Sequence, residues 1–156
     1  MTNPAVGREI TVSLREVTAE TVRDVCKLSD TLFENQKRMV APNAVSIAQA
    51  HFEPKAWFRA IYAGDTPIGF VMLYDDPEKP SCYLWRFMIA GPHQKQGFGT
   101  QAMQLILDRA RARPGVKEIT LSYVPIDGNP EPFYRRMGFE PTGAVEEGEI
   151  VMRRAL

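Results

Sequence analysis

The residues best suited to chemistry in this chain are six in a row, Gln94-Lys95-Gln96-Gly97-Phe98-Gly99. They follow an apolar run at 82–89 (CYLWRFMI) and open a stretch of helical periodicity that stops at Pro114-Gly115. Two β-carbons are missing just as a helix begins. Successive backbone N–H groups can then converge on one point at the positive end of the helix dipole, a concavity that suits a pyrophosphate. The same glycines would also serve a plain tight strand–helix connection, and a glycine pair alone does not separate the two readings.

Two better-known phosphate loops do not fit. The Walker loop needs Gly-Lys-Ser/Thr at the helix start, and here Gly99 is followed by Thr100. The dinucleotide fingerprint wants a third glycine where Ala102 stands. It also wants an acid about 20 residues on, where Lys117-Glu118 falls, at the start of a βαβ unit. The chain before the loop reads as mixed rather than alternately βα.

Composition narrows the class. A chain of 156 residues, 44% apolar and 24% charged, suits one soluble domain with one core. Basic and acidic residues balance at 19 each, so no basic footprint for nucleic acid covers the whole chain. No apolar run approaches membrane length, and residues 1–10 lack the apolar core of a signal peptide. Cytoplasmic residence, with neither membrane nor nucleic acid as partner, is the expectation. Cys26 and Cys82 are too few to staple a fold, and His51 and His93 lack metal-ligand spacing, so no metal is expected.

Around the loop, the run 82–89 reads as a strand with no wet face. Tyr83, Trp85, Phe87 and Ile89 alternate with Cys82, Leu84, Arg86 and Met88, which assigns it to the middle of a sheet. Residues 10–17 alternate as a strand with one dry face. Thr18 then offers a helix cap, with Thr21 where a capping box wants Glu. Residues 32–43 lack a clear period, and a short helix runs from Ser46 to just before Pro54. Runs 57–63 and 67–74 form a hairpin about Gly64-Asp65, and 75–80 is a proline-bounded turn. A strand at 118–124, a short helix at 129–137 closed by Gly138, and strands at 140–144 and 149–153 complete the chain. The fold class is α/β (α+β mixed): a single domain with a central mixed, mostly antiparallel sheet flanked by helices.

Two separated motifs, Gln94-x-x-Gly97-x-Gly99 and Phe133-Tyr134-Arg135-Arg136-Met137-Gly138-Phe139, give the chain a resemblance to the GNAT superfamily of N-acetyltransferases. By element order the resemblance covers nearly the whole chain; its specific part is 85–139. Within the superfamily, YLWRFMI…HQKQGFGTQAM resembles bacterial diamine (spermine/spermidine) acetyltransferases. The resemblance implies acetyl-CoA as co-substrate and a homodimer. It implies that main-chain groups of Phe87, Met88 and Ile89 meet the pantetheine arm as though it were an added strand. The amides of Lys95, Gln96, Gly97, Phe98, Gly99 and Thr100 would hold the pyrophosphate, with Gln94, Phe133 and Arg136 beside them. Tyr134 would be the general acid toward the departing thiolate. A thiol has a pKa of about 8.5 and a tyrosine about 10, so full transfer is uphill by roughly 2 kcal/mol. That is small beside the barrier reduction an enzyme supplies.

The chain also departs from the family pattern. Asp127 and Pro130 stand where many relatives carry Asn and Ala, with Asn129 nearby as the candidate for the pantetheine contact. No acid lies on 82–89, where some relatives carry a glutamate base. An alkylammonium with a pKa near 10 is only about one part in a thousand neutral at pH 7, so a proton acceptor or water relay is needed. Glu34, Asp75 and Asp127 are candidates by loop position, and Tyr83 could hold a water. Arg86 would be costly to bury alone; it either pairs with an acid under the sheet, the arrangement expected first, or faces the substrate. His93 is expected at the surface or as a cap, and Trp57 and Trp85 as core or pocket wall.

The acceptor expected is a small primary amine, a polyamine first, attacking acetyl-CoA directly in a ternary complex. Glu34, Glu53, Asp75, Asp76 and Glu78 could supply carboxylates for a polycation if they converge. Acetylation of a protein, peptide or aminoglycoside-type amine is the alternative within the class. A non-catalytic acyl-CoA-binding sensor is the alternative outside it.

Overall fold

The computed structural model describes residues 10–156; the N-terminal stretch read above for a leader lies almost wholly outside the described residues. One seven-stranded sheet carries the molecule. In chain order its strands are β1 (Val12–Arg15), β2 (Ala56–Ala63), β3 (Thr66–Tyr74), β4 (Ser81–Ile89), β5 (Glu118–Tyr123), β6 (Glu140–Glu146) and β7 (Glu149–Ala155). Their spatial order is β1-β2-β3-β4-β5-β7-β6, which puts the apolar strand β4 at the centre. Every pairing is antiparallel except β4 with β5.

Five helices cover the two faces: α1 (Val22–Lys27), α2 (Glu34–Lys37), α3 (Asn43–His51), α4 (Phe98–Ala112) and α5 (Glu131–Arg136). Helix α4 buries Phe98, Ala102, Met103, Ile106, Leu107 and Ala110, mostly three or four apart, against Val71, Leu73, Cys82, Leu84 and Ile119 of the sheet. Each fully buried Ile or Leu contributes about 1.5–3 kcal/mol. The opposite face packs Phe70, Met72 and Met88 beneath Val25 of α1 and Ile47 of α3.

Local chemistry explains where elements begin and end. Thr21 Oγ1 accepts the Thr18 N–H at 2.9 Å, but this closes only a turn: α1 begins at Val22 with Thr21, not Thr18, as its N-cap and without a side-chain cap bond. Helix α3 starts three residues before Ser46, because buried Asn43 donates to the Val25 carbonyl at 2.9 Å and its own N–H bonds Ser29 Oγ. The unperiodic stretch before it holds only the single turn α2. Helix α4 ends where Arg113 turns back to Asp75, Nε to Oδ1 at 2.6 Å, with both side chains largely buried.

One irregularity decides the site. The β3–β4 register slips between Met72/Leu73 and Arg86/Leu84, leaving Trp85 as an extra residue. This bulge reverses the alternation read from the sequence. Phe87 and Ile89 pack on the α4 face with Cys82 and Leu84, and Trp85 joins Met88 on the other. A bulge also bends and twists its strand. β4 pairs with β5 only from Ser81 to Leu84, and beyond that point the two strands part.

Candidate active site

The parting of β4 and β5 opens a cavity of about 1020 Å³. On one wall is β4 from Tyr83 to Ile89. The ladder fixes which main-chain groups face the opening. Ala90 N–H donates to the Ile68 carbonyl at 2.7 Å, so alternation turns the groups of Met88 to Phe70 on β3. Those of Phe87 and Ile89 point toward the gap. Of the three residues expected to offer main-chain groups, Met88 therefore has its own engaged within the sheet; its side chain still borders the cavity.

At one end stands the glycine loop. A 3₁₀ turn, Gly91–His93, leads into it, and Lys95 and Gly97 both adopt positive φ, 62° and 84°. Gly97 is the N-cap of α4, a left-handed conformation that costs a residue with a β-carbon about 1–2 kcal/mol. Among the described residues, no acceptor is found for the N–H groups of Lys95 through Thr100; the first helical bond is Gln101 N–H to the Gly97 carbonyl. Six consecutive donors are left for a ligand. A β-carbon at Gly99 would meet Phe133 at 3.7 Å and Ile89 at 3.8 Å, so the protein has room for it, but it would intrude between the amides and the cavity.

The loop is braced from outside. Gln94 and Gln36 exchange amide hydrogen bonds at 3.0 Å in both directions, and Gln94 Nε2 also donates to the Ile89 carbonyl at 2.9 Å. Gln94 thus orients the loop while lining the cavity. The Gln96 side chain bonds back to the Pro92 carbonyl, and the Phe98 ring is buried under α4; neither side chain lines the cavity. Lys95, Gly97, Gly99 and Thr100 do line it, and so does His93.

Helix α5 closes the floor. The Phe133 ring stacks on Phe87 at 5.9 Å, nearly parallel at 8°, and the Arg136 guanidinium lies 6.0 Å above Phe133. Tyr134 is buried between Phe133 and Phe139 and also borders the cavity. Its hydroxyl has no hydrogen-bond partner among the described residues. Burial, with the Tyr83 phenol nearby as a lesser cause, pushes its pKa up. Asn129 takes another role. Its Nδ2 donates to the Ile126 carbonyl and its Oδ1 accepts the Glu131 N–H, so it caps α5 and is not among the cavity-lining residues.

The opposite end is built from scattered side chains. Tyr83 and Ser122 hydroxyls lie 2.7 Å apart across the β4–β5 gap. Glu147, Gly148 and Glu149 reach in from the β6–β7 hairpin. Sequence reading gave this region only as two strands, 140–144 and 149–153, and no local signal aims its carboxylates. The three acids it did name lie elsewhere. Glu34 is exposed and 3.5 Å from Lys37, Asp75 is bound to Arg113, and Asp127 is exposed; none lines the cavity. Nor do Glu53, Asp76 and Glu78; Asp76 instead pairs with Lys55 at 3.1 Å. Arg86 lacks the ion pair expected of it: no carboxylate approaches within 4.0 Å among the described residues. Trp85 forms pocket wall, whereas Trp57 lies between Arg59 and Arg109. No group of three potential metal ligands occurs among the described residues, and no described helix is long and apolar enough to cross a membrane.

The central strand β4 thus parts from its parallel neighbour β5 beside the unpaired amides of the glycine loop. The sequence profile of the acetyltransferase (GNAT) family matches residues 23–139, and the chain belongs to that family. Solved structures agree in fold. An acetyltransferase from Thermus thermophilus superposes with a TM-score of 0.74 at 18% identity, covering 95% of this chain and 99% of that one. The PaiA N-acetyltransferase of Thermoplasma acidophilum in complex with coenzyme A gives 0.67 at 16%, covering 94% and 100%. Arabidopsis thaliana Naa50 with the bisubstrate analogue CoA-Ac-MVNAL gives 0.67 at 21%, also covering 94% and 100%. No curated protein sequence matches the chain.

Proposed function

We propose that the cavity binds acetyl-CoA and a primary amine together, and that acetyl passes directly from sulfur to nitrogen. The observation that carries this reading is the meeting, in one cavity, of the unpaired amides of Lys95, Gly97, Gly99 and Thr100, the open edge of β4 and the free Tyr134 hydroxyl. The residues fit the group chemically. Diphosphate needs converging donors, which Lys95 to Thr100 supply. Pantetheine carries amides, and the gap-facing groups of Phe87 with the Ile89 N–H can bond them as a further strand would, the Ile89 carbonyl already accepting from Gln94. Lys95 and Arg136 add positive charge at the same end. When bound, the thioester supplies an activated acetyl group.

The chain's own residues then divide the work. Phe87, Ile89 and Phe133 shield the thioester end from water. Tyr134 donates a hydrogen bond to the sulfur that must leave. Because burial raises the phenol's pKa, complete proton transfer is further uphill than for a free tyrosine, so stabilisation of the developing thiolate is its main contribution. The amine loses its protons on the Tyr83–Ser122 side, through water toward Glu149 or solvent. A cytoplasmic homodimer belongs to the same reading. The polyamine expectation draws little support from the cavity, since the carboxylates meant to hold a polycation do not gather there.

Release of free CoA thiol, followed with and without added amines, tests the proposal. Amine-dependent release is expected. Tight CoA binding with no release for any amine would favour a non-catalytic acyl-CoA sensor.

A further inference from the structure

The charged groups on the cavity wall are unevenly settled. Lys95 and Arg136 sit at the loop and Phe133 end. Lys37 already has Glu34 at 3.5 Å; Arg38, Arg86, Glu147 and Glu149 are the other charged residues on the wall. Arg86 differs from the rest. It is half-buried, and its pKa is held down by that burial, with Tyr83 and then Glu149 acting weakly the other way. Its two terminal nitrogens donate to neutral oxygens, the Trp85 carbonyl at 3.0 Å and Gln49 Oε1 at 3.1 Å. Its Nε is buried with no partner, and the guanidinium lies 5.3 Å above the Trp85 ring.

A desolvated guanidinium without an anion is unfavourable unless one arrives with a ligand. Trp85 and Gln49 hold this one in a fixed pose at the cavity wall, and a planar fork of donors is suited to a carboxylate or phosphate. The wall offers such an anion's opposite too: Glu149 and Glu147 can attract an ammonium on the same molecule. A polycation would meet Arg86 as a like charge, with only two carboxylates to offset it.

We propose that Arg86 binds an oxyanion of the acceptor, so that the amine acetylated here is carried by a small zwitterion, an amine bearing a carboxylate or a phosphate. This rests on the cavity being the acetyl-transfer site. The two oxyanions share one chemistry at Arg86, and a panel of matched amines separates them.

The test measures amine-dependent thiol release for pairs that differ only in the anion. Amino acids are set against the corresponding decarboxylated amines, and O-phosphoethanolamine against ethanolamine, with spermidine and a short peptide alongside. The expected result is kcat/KM higher for the anionic member of at least one pair by roughly ten- to hundredfold, the scale of a charge-assisted hydrogen-bond pair. Arg86→Gln should erase that preference mainly through KM, slow the anionic member far more than the stripped amine, and leave CoA affinity as it was. Arg86→Lys, which keeps charge but not the fork, should restore part of it. Three results would overturn the proposal: spermidine or peptide preferred over every anionic amine, Arg86→Gln slowing both members equally, or no anionic amine taken by protein that binds acetyl-CoA. The pair comparison on the unmutated protein stands even if the variants fold poorly. Failure to bind CoA would instead remove the underlying reading of the site.

Discussion

At the α4 end of the cavity the groups on offer are backbone amides from one short stretch of chain, those of Lys95, Gly97, Gly99 and Thr100. At the far end they are side chains from separate strands and a turn, Tyr83 and Arg86 of β4, Ser122 of β5, Glu149 of β7 and Glu147 just before it. Backbone donors are the same whatever the residue type, so the first end needs only a chain path that exposes them, and two glycines with a helix start mark that path. Side chains carry selectivity, and their convergence depends on how distant strands are brought together. The first end therefore suits an invariant carrier, and the second suits whatever amine this enzyme takes.

Perturbations can be placed to break that division. The largest expected effect lies outside both ends. Arg113→Met would leave the Asp75 carboxylate buried without its partner, at a cost of about 3–5 kcal/mol of stability. Thermal or denaturant unfolding measures it, and CoA affinity at low temperature should be unchanged. A destabilisation confined to a few tenths of a kcal/mol would mean the pair is effectively solvated.

Next is Gly99→Val. The β-carbon meets Phe133 and Ile89 at ordinary contact, so the fold should survive, while the branched side chain covers the amides. Titration calorimetry should show CoA binding weakened by roughly ten- to hundredfold, the range for lost hydrogen bonds to a charged group. If CoA affinity holds and only the amine KM changes, the two ends have been assigned the wrong way round.

The smallest effect is in the pH profile. Burial raises the Tyr134 pKa, so the phenol keeps its proton from neutrality through the alkaline range, while the amine becomes a better nucleophile as it deprotonates. kcat/KM should rise with pH and level off, with no falling limb below about pH 10. A descending limb well below that pH would argue that a group of lower pKa supplies the acid.

Much of the frame was legible in the residues themselves. β4's apolar run placed it at the sheet's centre, the Gly64-Asp65 turn joined β2 to β3, and Pro114-Gly115 fixed the end of α4. The bulge at Trp85 was not legible, because nothing in CYLWRFMI marks the residue that lacks a partner on β3. That one residue moves Phe87 and Ile89 to the α4 face and directs which main-chain groups meet the gap. Asn129 was ambiguous for a related reason: an asparagine two residues before a helix is as well suited to capping as to a ligand, and here both its amide atoms are engaged locally. Arg86 and Glu149 are far apart along the chain and β5 lies between their strands; only the opening beyond Leu84 brings both to one cavity.

Tyr134→Phe gives the most direct test of the claim that the phenol acts on the sulfur of a thioester whose diphosphate the loop holds. The lost hydroxyl has no partner within the described protein, so the fold should be unaffected. We expect kcat to fall by about a hundred- to thousandfold, with CoA affinity within about twofold of the unmutated protein. Unchanged turnover, or a loss of CoA binding that accounts for the whole defect, would contradict the account.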